Sequence, residues 1–228
     1  MINHLKNLLA ASNHPQSLGM KFRKARFQFF EDLFLKQFVD QPKVTILDVG
    51  GTQQFWKDQS LLDSGKIEVI LLNLSEVPIS APHITSKAGD ATDLSAYGDK
   101  SIDLVFSNSV IEHLYTWENQ QKMAAEIRRV GKRHFVQTPN KYFFLEPHYA
   151  LPFFQYLPKS LGHSILTKTK MSRFRKWGHQ EAQQYLDEIR LISEKEMTQL
   201  FPNSKMYYEK FGWMNKSFIA HDFVISNS

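Results

Sequence analysis

The chain of 228 residues has no cysteine. That excludes disulfide staples, thiolate metal sites and a cysteine nucleophile, and it fits a reducing compartment. No apolar run approaches the roughly 20 residues that a membrane-spanning helix needs. The first residues, with Asn3, His4, Lys6 and Asn7 among the apolar ones, lack the apolar block and small-residue cleavage site of a secretory leader. A cytoplasmic protein is the expectation. There is no internal repeat and no low-complexity segment. Excess charge is also small: a net +5 fits an anionic substrate or surface more than a nucleic-acid machine. His113, His134 and His148 lack the spacing of a zinc-binding helix, so no metal site is expected.

What is present is an ordinary globular composition, 42% hydrophobic and 22% charged, in a chain long enough for one α/β domain with its own core. The key stretch is Val44-Thr45-Ile46-Leu47-Asp48-Val49-Gly50-Gly51-Thr52. Its unbroken apolar and β-branched run reads as a strand buried on both faces, as in a helix-covered parallel sheet. Two glycines then let the backbone turn sharply and a ligand approach. Ligands bind beyond the carboxyl ends of strands in open α/β sheets, so Asp48 to Thr52 is the expected floor of a binding site. An acid at the end of a buried strand needs a partner.

Upstream, residues 1–42 read as a helical segment, broken at Pro15 and closed by Pro42. Phe22, Arg23, Ala25, Arg26, Phe27, Phe29, Phe30, Leu33, Phe34, Leu35, Phe38 and Val39 make its strongly apolar face. Lys21, Arg23, Lys24 and Arg26 beside it read as a solvated face, with contact to an anionic substrate as the alternative. Downstream, Gln53 to Leu62 reads as a short helix and Ile67 to Leu74 as a second strand carrying Asn73 near its end. In dinucleotide-binding folds an acid about 20 residues after the glycine turn holds the ribose; here the position carries an amide. Ile84 to Ala88 is a short third strand leading into a Gly89-Asp90 turn. Ile102 to Phe106 is a fourth strand with a polar exit, Ser107-Asn108-Ser109. Ser109 and Glu112 have the spacing of a helix capping box. Thr116 to Val130 reads as an amphipathic helix and His134 to Gln137 as a fifth strand, followed by Thr138-Pro139-Asn140. The alternation argues for a parallel sheet covered by helices.

These residues carry a resemblance. Val44 to Thr52, Asn73, Gly89-Asp90-Ala91, Asp103 to Leu114 and the strand into Thr138-Pro139-Asn140 resemble the ordered motifs of class I S-adenosylmethionine-dependent methyltransferases. The most specific piece, Ile102 to Leu114, is similar to the fourth-strand signature of the small-molecule branch. The resemblance implies a doubly wound, Rossmann-like, mostly parallel seven-stranded sheet with an antiparallel last strand, an N-terminal helix and a helical cap inserted after strand five. It implies S-adenosyl-L-methionine as cofactor. Asp48, Gly50, Gly51 and Thr52 would line its methionine part, Asn73 its ribose, Asp90 and the Ala91 backbone its adenine, and Asn108 the sulfonium end. The turn departs from the family pattern, with Thr52 and Gln54 where glycines alternate, and Asn73 stands where an acid is usual. No G-x-G-x-x-G follows the first strand, which argues against a nicotinamide enzyme.

Residues 141–190 are expected to form the cap of a single domain spanning 1–228. Pro147, Pro152 and Pro158 prevent one long helix there. Glu146 and His148 form a candidate base pair, or a turn with a satisfied histidine. The basic run Lys168, Lys170, Arg173, Arg175 and Lys176 is a solvated face, an anion site or a peripheral membrane contact. Ser193 to Glu196 is a capping box, and Lys205 to Phe211 with Ser217 to Ile225 read as a closing hairpin. A hydroxyl acceptor needs a base, for which His113 and His148 are the candidates. The reading is O-methylation of a small polar or anionic acceptor, such as a sugar, a lipid-linked or a natural-product intermediate. Alternatives are a catalytically degenerate binding protein with this fold, and a membrane-surface lipid methyltransferase.

Overall fold

Strands form where the sequence is continuously apolar, and a computed structural model, which describes residues 18–57 and 59–224, places them in one sheet. In chain order these are β1 (Val44–Val49), β2 (Ile67–Asn73), β3 (Ile84–Ala88), β4 (Ile102–Asn108) and β5 (Gly131–Pro139), then the closing hairpin of β8 (Lys205–Phe211) and β9 (Met214–His221). The seven strands lie in the order β3-β2-β1-β4-β5-β9-β8. β1 to β5 pair in parallel, and β9 enters antiparallel to β5. This is the architecture the resemblance implies. The central strands β1, β4 and β5 are buried almost throughout, whereas the edge strands β3 and β8 are largely exposed.

Alternation along each strand divides the core into two layers. Ile46, Leu104, Phe106, Phe135 and Ile219 face α1 (Leu18–Gln37), whose Phe27, Phe30, Leu33 and Phe34 cover them. Phe106 stacks on Phe135 with centroids 5.4 Å apart, and Phe30 meets both edge-on at 5.0 and 5.1 Å. Leu47, Val105, Val136 and Phe218 face the other way. There they pack against Met123, Ala124 and Ile127 of α4 (Trp117–Val130) and Met197 and Leu200 of α7 (Glu194–Leu200). The Ser193 capping box of α7 forms with both arms, as the sequence predicts.

Four local readings change. The helix read over Gln53 to Leu62 is two single turns, α2 (Gln53–Trp56) and α3 (Ser60–Asp63). Ser109 does not cap a helix: its hydroxyl donates to Gln137 Oε1 at 2.8 Å, and only a 3₁₀ turn, Ile111–His113, follows. β5 begins at Gly131, three residues before the predicted start, because the helix ends directly into it. The hairpin closes through Gly212 and Trp213 alone. Residues 1–17, including the break read at Pro15, and Ile225 lie outside the described residues.

The cap holds a two-stranded ribbon, β6 (Leu145–Glu146) with β7 (Leu151–Pro152), and the helices α5 (Lys159–Lys168) and α6 (His179–Glu188). It has a small core of its own around Tyr149, Phe154, Leu166 and Trp177.

Candidate active site

The parallel pairing brings the carboxyl ends of β1, β2 and β3 to one rim. Asp48 is 2% exposed there, and its Oδ2 accepts from Trp56 Nε1 at 2.7 Å. Burial pushes its carboxyl up to about 7, against the effect of the Trp56 hydrogen bond. The acid therefore has the partner its position demands, and it lies beneath the turn. Gly50 holds φ +76°, where a Cβ would stand 2.5 Å from Val110 Cγ2. A Cβ on Gly51 would strike the Asp48 carboxylate. Both glycines are thus required by the protein's own packing. Thr52 is exposed.

Asn73 Nδ2 donates to the Gly51 carbonyl at 3.0 Å, which ties the end of β2 to the turn and points to why an amide stands where an acid is usual. Asp90 is exposed at the exit from β3, its Oδ1 accepting from the Thr92 backbone and hydroxyl, both at 2.8 Å. Ala91 beside it is half-buried.

Next to this rim, a cavity of about 430 Å³ opens between α1, the exits of β4 and β5, the cap and the hairpin. Asn108 and Ser109 belong to its lining; Asp48, the glycine turn, Asn73 and Asp90 do not. Phe22, Phe143, Phe144 and Phe211 supply apolar wall, and Arg23, Arg26, Arg173 and Lys216 supply positive charge. Ser109, Ala150 and Arg173 on the lining hold left-handed backbone, with φ of 58°, 54° and 48°. Such strain in non-glycine residues persists where the surroundings fix it, and it gathers at functional sites.

Arg26 is the main correction to the sequence reading. It is buried and not part of a solvated face. It forms a fork onto Glu209, with Nε–Oε1 at 2.9 Å and Nη2–Oε2 at 2.6 Å, and also donates to Gln137 and to Asn108 Oδ1. Burial alone would raise Glu209, but the Arg26 charge and hydrogen bonds, with Lys216, hold its carboxyl below the usual range. Burial pushes the Lys216 ammonium down to about 8, and its Nζ lies 4.4 Å over the Phe22 ring. The spacing of Phe22, Arg26 and Phe30 on one helical face was the available signal that Arg26 points inward.

Also on the lining, His113 and His148 meet edge to face with centroids 4.9 Å apart. His113 Nδ1 lies 2.6 Å from Glu188 Oε1, and His148 Nδ1 lies 2.7 Å from Glu146 Oε1. A carboxylate only accepts, so each Nδ1 carries a proton, and in the neutral ring Nε2 keeps its lone pair. Burial disfavours the His148 imidazolium, but the charge and hydrogen bond of Glu146, with Glu112, outweigh it and raise the ring above the ordinary histidine range. Glu146 is 1% exposed and also accepts from the Tyr149 backbone at 2.8 Å. It orients His148 and lies outside the cavity lining. Glu188, at the end of α6, carried no sequence signal. Glu112 is fully buried, with Thr138 donating to Oε2 at 3.0 Å.

The basic run of the cap is partly spent inside the protein. Arg173 donates to the carbonyls of His148 and Pro147, and Arg175 forms a fork onto Glu181 and lies over Trp177. No described helix is long and apolar enough to cross a membrane.

The fold is doubly wound, a class in which ligands lie beyond the carboxyl ends of the strands. Residues 47–134, from β1 into β5, match the family model described as a methyltransferase domain. No curated protein matches. Among solved structures, the DszA carbon methyltransferase aligns with TM-score 0.54 at 14% identity, over 96% of this chain and 57% of that one. A protein described as a Zn-dependent alcohol dehydrogenase from Rhodobacter sphaeroides aligns with TM-score 0.52 at 13% identity, over 83% and 87%. A possible exported protein from Bordetella parapertussis gives 0.53 at 10%, over 88% and 68%. Labels this diverse show a shared fold, and a fold does not select a chemistry. The family match is more specific: residues 47–134, less than half of the chain, match a methyltransferase domain, which supports methyl transfer from S-adenosyl-L-methionine.

Proposed function

We propose that the protein methylates a hydroxyl of a small polar or anionic acceptor held in the 430 Å³ cavity. The observation that carries this reading is the junction at Asn108 and Ser109, where the strand-end rim passes into a cavity walled by two imidazoles.

The rim residues suit the cofactor by their chemistry. Asn73 Oδ1 and Asp90 Oδ2 make no hydrogen bond to any described residue, so they are free to accept from ribose hydroxyls and from the adenine amino group. The Ala91 backbone, the Gly50-Gly51-Thr52 turn braced by Asp48, and Asn108 would serve the adenine edge, the methionine arm and the sulfonium end. When bound, the cofactor supplies a methyl group on a positively charged sulfur. The protein's part is alignment and exclusion of water, which the aromatic wall provides. Arg23 and Lys216 draw a polar or anionic acceptor inward. The Nε2 atoms of His113 and His148 would take the acceptor's proton, with Glu188 and Glu146 holding the rings through Nδ1.

A membrane-surface acceptor has less support, because Arg173 and Arg175 are engaged within the cap. Salt-sensitive binding to anionic vesicles would restore it.

The test is the thermal midpoint with and without S-adenosylhomocysteine, followed by a labelled-methyl screen of hydroxylated acceptors. Ligand at 100 times its Kd should stabilise the fold by about 2.7 kcal/mol. No rise at millimolar ligand would remove the reading.

A further inference from the structure

Glu112 is fully buried, yet its Oε1 has no hydrogen-bond partner among the described residues. An unsatisfied buried carboxylate oxygen is costly, so something should meet it. It does not stand alone. One ligating atom each from Glu112, His113 and His148 lie within 4.8 Å of one another. All three residues line the cavity.

We propose that Glu112, His113 and His148 form a binding site for a divalent transition-metal ion. Two neutral imidazoles and one carboxylate are a usual set for such ions, with the remaining positions left to water or substrate. Two nitrogen ligands favour a zinc-like ion over Mg²⁺ or Ca²⁺, which take oxygen. Ligands on one ion stand roughly 3 to 3.5 Å apart, so side-chain rotation of about an ångström closes the set. The surroundings are already those of a metal site. Each imidazole gives its Nδ1 proton to a carboxylate, His113 to Glu188 and His148 to Glu146. That arrangement fixes the tautomer and leaves Nε2 as ligand. Thr138 holds the other oxygen of Glu112.

Spacing along the chain gives no hint of the site. Glu112 and His113 are adjacent and follow β4, while His148 comes from the cap after β5. Only closure of the cap completes it, which departs from the sequence expectation of no metal. An ion here would present its open positions to the cavity, where a hydroxyl oxygen of the acceptor completes the shell and becomes more acidic. His113 and His148 then serve as ligands instead of bases. This use rests on the methyl-transfer reading; ion binding does not.

The test is titration of chelator-treated, full-length protein with Co²⁺ and Zn²⁺, read by the visible absorption of Co²⁺ and by displacement with Zn²⁺. S-adenosylhomocysteine binding is measured in parallel. One equivalent of Co²⁺ should bind with intense visible bands, lost to Zn²⁺. His148→Ala and Glu112→Gln should each weaken binding at least 10-fold while S-adenosylhomocysteine still binds. Should either variant fail to fold, histidine side-chain NMR of the unmodified protein decides, because Zn²⁺ should shift two imidazoles. Absence of stoichiometric binding, binding unchanged in both variants, or a shift in other histidines would each overturn the proposal. Loss of S-adenosylhomocysteine binding with Co²⁺ binding intact would instead count against the cofactor reading alone.

Discussion

Asp48 and Trp56, which brace the glycine turn, are 8 residues apart; Arg26 and Glu209, which brace the cavity, are 183 apart. The glycine turn of the rim is local: one strand end, one turn and one helical turn of sequence brace it. The cavity wall is assembled from α1, the strand exits, the cap and the hairpin. Its Arg26 is buried as a pair with Glu209, whereas Asp90 and Thr52 at the rim meet solvent. Damage should therefore differ in kind. Changes in the wall should cost the fold, and changes at the exposed rim should cost the ligand.

The sharpest test of that contrast is Arg26→Ala. It leaves Glu209 buried without its fork and takes a donor from Asn108 and Gln137. Breaking a buried pair costs about 3–5 kcal/mol, which for a chain of this size lowers the thermal midpoint by on the order of 10 °C. The double variant Arg26→Met with Glu209→Leu should recover part of that loss, because both charges of the pair are gone and only Lys216, 3.9 Å from Glu209, loses a counter-ion. A single variant that melts within about 2 °C of the parent would mean that the wall is not held by this pair.

Asp48 is the exception within the rim, being local in sequence yet buried like the wall. Its carboxyl titrates near 7 in the fold, against 3.8 ordinarily. Between those values the folded state holds a proton the unfolded chain has released, so Asp48 makes stability fall as pH rises from about 4 to 7. The full effect is up to about 4 kcal/mol above pH 7. Asp48→Asn removes the charge and keeps an acceptor for Trp56. In cofactor-free protein it should raise the midpoint at pH 8 and change it little at pH 4. Equal shifts at both pH values would mean that the folded carboxyl is not raised.

Next in size comes Asp90→Ala. Asp90 is exposed and bonds only within its own turn, so the midpoint should hardly move. Affinity for S-adenosylhomocysteine, measured by calorimetry, should fall about 10-fold, the value of one hydrogen bond to a charged group. A large loss of stability with affinity intact would reverse the contrast between rim and wall.

The same contrast explains what could be read from the sequence. Strand β1, its acid and its glycines announce themselves because each depends on neighbours within a few residues. So does the amphipathic face of α4, where Met123, Ala124 and Ile127 recur at helical spacing. His113 and His148 could be named as candidates, but not brought together, because their meeting depends on where the cap lands. Arg26 was visible only as a cation on an aromatic stripe; its partner lies in the last hairpin. Glu146 was legible as the companion of His148, two residues away, whereas Glu188, the companion of His113, was not.

Asn73 gives the finest test, because composition alone would class it as a defect. Replacing it by the usual acid, Asn73→Asp, should not tighten S-adenosylhomocysteine binding. The Nδ2 group donates to the Gly51 carbonyl, and a carboxylate there would face that carbonyl with no proton to offer. The hydrogen bond is worth about 1 kcal/mol, so affinity should stay level or fall a few-fold. A tenfold gain would mean that the turn does not need this tie, and that the amide only weakens the hold on ribose. A level or weaker result would mean that the departures of the turn and of Asn73 from the usual pattern are one compensated change: the amide closes the turn from the second strand.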